Sequence, residues 1–123
     1  MINSPPACPA SGSVRLGIIG LGIIGRHHAA YVLEGKVARC QLTAVCSRKA
    51  ELPPDFKSVA VFDGPEKLLR SGLVDAVLIA TPHGQHPVEG TAAFAAGLHV
   101  MAEKPIASHK ADAERFIMAQ QLN

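Results

Sequence analysis

A chain of 123 residues with formal net charge +2, 48% hydrophobic and 18% charged residues has enough apolar material for one packed core. This composition excludes a generally disordered polymer, and the length excludes a complete two-domain enzyme. Only 4% of residues are aromatic, with Tyr31 the single tyrosine and no tryptophan, and the charge is small, so neither a base-stacking single-strand binder nor a dedicated DNA binder fits.

Three cysteines, Cys8, Cys40 and Cys46, cannot all pair within one chain, and none forms a Cys-x-x-Cys motif. Reduced thiols in a cytoplasmic protein are the simplest reading. No apolar run reaches the length of a membrane span, and the first residues lack the basic start of a signal peptide.

Residues 1–13, with three prolines among small polar residues, read as a flexible leader, leaving 14–123 as the folded domain. Val14–Ile19 is a β-branched apolar run ending at Gly20, the pattern of a buried parallel strand. Residues 23–34 follow as a helix whose apolar side includes Ile24, Tyr31 and Val32, with Gly35 at the C-terminal cap. A second strand is expected over 41–46, then a short helix from Lys49 interrupted at Pro53-Pro54, and a third strand over 58–62. Pro65 opens a helix over 66–71, stopped by Gly72. A fourth strand occupies 75–80, a helix 87–96, a fifth strand 98–102 and an amphipathic helix 109–121. This alternation predicts a doubly wound α/β domain of the Rossmann type, its mostly parallel sheet covered on both faces.

The turn after the first strand reads Gly20-Leu21-Gly22-Ile23-Ile24-Gly25, a G-x-G-x-x-G sequence placed where a strand passes into a helix. Gly20 permits the tight turn, Gly22 admits a pyrophosphate to the backbone, and Gly25 lets the helix approach the sheet. The free N–H groups of the helix start complete a site for a nicotinamide dinucleotide.

An acidic residue at the end of the second strand would hold the ribose hydroxyls of NAD, but the sequence there is Cys46-Ser47-Arg48-Lys49. Ser47 can bond a 2′-phosphate and Arg48 can pair with it bidentately, so NADP is preferred and NAD is the alternative. After the fourth strand come Thr81, Pro82, His83 and His86. The two histidines have no companion ligands, so no metal site is expected, and His86 is read as capping or packing the next helix. His27, His28, His99 and His109 are likewise read as packing or capping residues. Glu103-Lys104-Pro105 follows the fifth strand at the crevice edge, where a lysine can protonate or polarise a substrate oxygen.

Taken in order, the glycine turn, His28-Ala29, Ala80-Thr81-Pro82 with His86, and the run from Ala96 to Pro105 resemble the Gfo/Idh/MocA family of oxidoreductases. The resemblance runs from Val14 to the end of the chain. It implies a catalytic or substrate-orienting role for Lys104, with Glu103 and Pro105 shaping the nicotinamide site and Thr81, Pro82 and His86 lining the cofactor channel. It also implies a sixth strand and a C-terminal substrate domain, which often mediates oligomerisation, and neither is in this sequence. The expected function is therefore the nucleotide-binding domain of an NAD(P)-dependent oxidoreductase acting on a CH–OH group of a sugar, cyclitol or related polyol. By itself this stretch is expected to turn over little. A non-catalytic dinucleotide-sensing or protein-interaction module of the same fold is the alternative.

Overall fold

The computed structural model describes residues 13–47, 58–81, 85–103 and 110–122. Within them the chain runs β1 (Val14–Ile19), α1 (Ile23–Leu33), β2 (Cys40–Cys46), β3 (Ala60–Phe62), α2 (Pro65–Leu69), β4 (Ala76–Ile79), α3 (His86–Ala95), β5 (His99–Ala102) and α4 (Lys110–Leu122). The five strands form one sheet in the order β3-β2-β1-β4-β5, every pair parallel. The order reverses between β1 and β4, which opens a crevice at the carboxyl ends of these strands.

Strand alternation sends neighbouring residues of β1 into different cores. Ile18 joins Leu21, Ala29, Val32, Leu42, Val45, Val59 and Leu78 on the α1 side. Ile19 joins Ala44, Cys46, Val77 and Ile79 with Leu68, Leu69 and Ala93 of α2 and α3 on the other. Both isoleucines are fully buried, and truncating either to alanine costs about 2–5 kcal/mol.

Both long helices before β2 and β5 end as the glycines suggest. The amide of Lys36 bonds the carbonyl of Tyr31 and that of Gly35 bonds Val32, while Leu98 and Gly97 make the same pair of bonds to Ala93 and Phe94. These are Schellman closures, with Gly35 and Gly97 at positive φ.

Three expectations are corrected. The buried stripe of α1 is Gly25, Ala29 and Val32, whereas Ile24 and Tyr31 are exposed, because the close approach at Gly25 decides which side of the helix meets the sheet. β3 is only three residues long: as an edge strand it pairs solely with Ala44, Val45 and Cys46 of β2, and Val59 is buried before pairing begins. α2 stops at Leu69 because the hydroxyl of Ser71 donates to the carbonyl of Leu68 and accepts from the amide of Leu73, turning the chain early. The helix expected from Lys49, and the leader up to residue 12, lie outside the described residues.

At the amino-terminal end of the sheet, Arg15 of β1 grips Asp75 just before β4. Its Nη2 is 2.9 Å from Oδ1 and its Nε 3.2 Å from Oδ2, while its backbone amide donates to Oδ2 at 2.9 Å. The Asp75 amide returns a bond to the carbonyl of Arg15. This clamp fixes the central strand pair at the end opposite the crevice.

Candidate functional site

Backbone hydrogen bonds continue beyond the strands and align their carboxyl ends. The amide of Gly20 donates to Cys46, that of Ser47 to Phe62, that of Ala80 to Ile19 and that of Glu103 to Ile79. Between these ends lies a cavity of about 360 Å³, lined by Ile19, Gly20, Leu21 and Gly22 in the centre. Cys46, Ser47, Asp63 and Pro65 bound it on the β2–β3 side, and Ala80, Thr81, Gln85 and Glu89 on the β4 side.

The three glycines of the turn have different structural reasons. Gly20 has φ +97°, and a Cβ there would also press against Thr81 and the backbone of Ala80. At Gly25 a Cβ would lie 1.9 Å from the carbonyl oxygen of Gly20, so no side chain fits between helix and turn. Gly22 differs: its backbone is extended, and a Cβ there would meet none of the described residues within 4 Å. Neither conformation nor internal packing requires glycine at this position, and Gly22 lines the cavity. A side chain there would take up cavity space next to the start of α1.

The start of α1 is prepared for an anion. Gly22 is its N-cap without a side-chain capping bond, and no acidic residue occupies the first turn. Arg26 braces the approach by donating from Nε to the carbonyl of Leu21 at 3.0 Å. Ile23 and Ile24 offer backbone amides here while their side chains are exposed.

On the β2 side, Ser47 lines the cavity, whereas Arg48 and Lys49 lie outside the described residues. Asp63, from the end of β3, lines the same side. Lys67 bonds it at 2.9 Å and holds its carboxyl below the usual range, so the acid is ionised and balanced by the lysine.

On the β4 side, Thr81 is held twice by α3. Its hydroxyl donates to the buried carboxylate of Glu89, and its carbonyl accepts from Nε2 of His86 at 2.7 Å. His86 is only 1% exposed and stands behind Thr81, packing the start of its helix instead of lining the cavity. Glu89, Gln85 and Asp63 were not singled out by motif. The available signal was position: Asp63 directly follows β3, and Glu89 belongs to the same helical turn as His86.

At the end of β5, Glu103 is half-buried and its Oε1 accepts from Nε2 of His28 on α1. The sequence assigned His28 a packing role, and the structure gives it this partner 75 residues away. Pro82, His83, Lys104 and Pro105 lie outside the described residues. Among the described residues no cluster of three His, Cys, Asp or Glu side chains is arranged for a metal, and no helix is long and apolar enough to cross a membrane.

Residues 14–121 match the Gfo/Idh/MocA oxidoreductase family, described as having an NAD-binding Rossmann fold. The chain is 34% identical over 110 residues to inositol 2-dehydrogenase 1 of Saccharopolyspora erythraea, a match covering 85% of this chain and 32% of that protein. It is 36% identical over 87 residues to scyllo-inositol 2-dehydrogenase (NADP(+)) of Bacillus subtilis, covering 68% of this chain and 26% of the relative. Among solved structures, scyllo-inositol dehydrogenase from Lactobacillus casei with bound NAD(H) and scyllo-inositol superposes with TM-score 0.76 at 29% identity, over 87% of this chain and 32% of that one. The chain thus spans about a third of the length of the curated relatives it matches first. Fold, glycine turn and family match agree: this chain belongs to the Gfo/Idh/MocA oxidoreductases as an NAD-binding Rossmann domain.

Proposed function

We propose that this domain binds a nicotinamide dinucleotide across the crevice and serves an oxidoreductase that acts on a CH–OH group of a cyclitol, sugar or related polyol. The observation that carries the reading is Gly22, a glycine required neither by its own backbone conformation nor by packing among the described residues, at the cavity and at the uncapped start of α1. The pyrophosphate is assigned to the backbone of residues 20–25, the adenosine to the side of Ser47 and Arg48, and the nicotinamide to the side of Thr81, Glu103, Lys104 and Pro105. Pro82 belongs to that nicotinamide side as well, with His86 supporting it from behind Thr81. Inositol dehydrogenases among the relatives support the polyol class.

Bound nicotinamide supplies the hydride acceptor. The chain's own contribution is to orient the ring and, through Lys104, to hold or receive the proton of the reacting hydroxyl. Orientation of the polyol itself falls to a surface outside this domain, so the domain by itself is a binder with little turnover. The absence of an acid at the end of β2, with Ser47 and Arg48 there, supports NADP over NAD. The odd cysteine count supports a reducing, cytoplasmic setting.

Titration of the chain with NADH and NADPH, followed by nicotinamide fluorescence, tests both parts. Saturable binding of NADPH tighter than NADH is expected, and Arg48→Ala should weaken NADPH about tenfold while changing NADH little. Equal losses for the two cofactors would remove the case for NADP, and binding of neither would remove the dinucleotide reading.

A further inference from the structure

The crevice has two ends that the covalent chain separates widely. The glycine turn and α1 come early in the sequence, whereas Glu103 follows β5 late in it. A side-chain hydrogen bond joins them. His28, on the second turn of α1, donates from Nε2 to Oε1 of Glu103, and both side chains are about one-third exposed, so the bond is partly withdrawn from water. The backbone of Glu103 is also fixed, its amide donating to the carbonyl of Ile79 at 3.0 Å. Glu103 is therefore tied to β4 through its main chain and to α1 through its side chain. The next residue in the sequence is Lys104.

We propose that His28 is a positioning residue for the nicotinamide end of the crevice: its bond to Glu103 couples the helix that opens the glycine turn to the segment that begins with Lys104. The proposal rests on the dinucleotide reading above. The imidazole acts as a directed N–H donor toward a carboxylate, a task that a glutamine amide on the same helix can also perform. Because His28 works through Glu103, its loss matters only to the part of the ligand that Glu103 and its neighbours orient. The pyrophosphate and adenosine, assigned to the glycine turn and Ser47, are indifferent to it.

The test compares NADH with ADP-ribose, which lacks the nicotinamide, by calorimetric titration of the intact chain and of His28→Ala, His28→Gln, Glu103→Ala and the His28→Ala/Glu103→Ala double variant. Loss of the bond should weaken NADH about fivefold to tenfold and leave ADP-ribose within about twofold. His28→Gln should recover most of the NADH affinity. In the Glu103→Ala background, His28→Ala should cost nothing further, because the partner is already gone. Equal weakening of both ligands, additive losses in the double variant, or unchanged NADH affinity would each overturn the positioning role. Failure of the unmodified chain to bind either ligand would instead overturn the dinucleotide reading, and the positioning role with it. Melting temperatures of each variant separate loss of folding from loss of binding, and His28→Leu, which keeps the side-chain bulk without an N–H donor, carries the comparison if His28→Ala unfolds.

Discussion

Gly25 and Gly20 face each other so closely that a methyl group on Gly25 would sit 1.9 Å from the carbonyl oxygen of Gly20. The obstacle is backbone, which cannot swing aside as a flexible side chain would. Gly25→Ala must therefore push α1 off the turn, at a cost of at least ~3 kcal/mol. Urea unfolding of the variant, followed by circular dichroism, should show a markedly lower midpoint, and a midpoint equal to that of the parent would mean that helix and turn are not packed as described.

The Arg15–Asp75 clamp gives stability a dependence on pH. The guanidinium of Arg15 holds the Asp75 carboxyl below the usual carboxylate range by direct hydrogen bonding. A carboxyl lowered by folding contributes fully above its unfolded value, about 3.9, and the contribution is lost as pH falls through the lower folded value. Asp63 is lowered as well, but it and Lys67 are exposed and add little. Asp75→Asn should thus cost about 2–3 kcal/mol at neutral pH, since the buried end of the clamp loses its charge, and should flatten the fall in stability as pH drops below the ordinary carboxylate range. An unfolding midpoint that falls as steeply with acid in Asp75→Asn as in the parent would reassign the effect to other carboxyls.

Thr81 owes its placement to residues of α3, so its hydroxyl should matter beyond any contact with ligand. Thr81→Val removes a donor to the buried Glu89 carboxylate and should lower stability by about 1–2 kcal/mol, whereas Thr81→Ser, which keeps the hydroxyl, should restore most of it. Thermal melts of the two variants without ligand make the comparison. Equal stability of the valine and serine forms would show that the Glu89 contact contributes nothing to holding the turn.

Much of this architecture is legible in local sequence because local chemistry sets it. Val14–Ile19 is apolar apart from Arg15 because Ile18 and Ile19 bury opposite faces of the strand, and Gly35 and Gly97 mark helix ends through their own backbone conformations. The glycine turn is readable for the same reason: its requirements are met within six residues. What escaped was decided by partners distant in sequence. Ile24 and Tyr31 look like a buried stripe until the contact between Gly25 and Gly20 rotates α1 away from them. Nothing in the local sequence marks Glu89, whose buried place comes from the contact with Thr81. His28 and Glu103 carry no periodic signal linking them, and only the crossing of α1 beside the end of β5 makes them partners.

Gly22 separates the account from a purely structural explanation of the glycine turn. Its backbone suits any residue and a Cβ there meets no atom of the described residues within 4 Å, so Gly22→Ala should melt like the parent chain. Calorimetric titration of NADH into both proteins is the direct measurement. The account predicts saturable binding to the parent and at least about tenfold weaker binding to Gly22→Ala, with unchanged melting temperature. Equal affinities, or no binding to the parent, would contradict it.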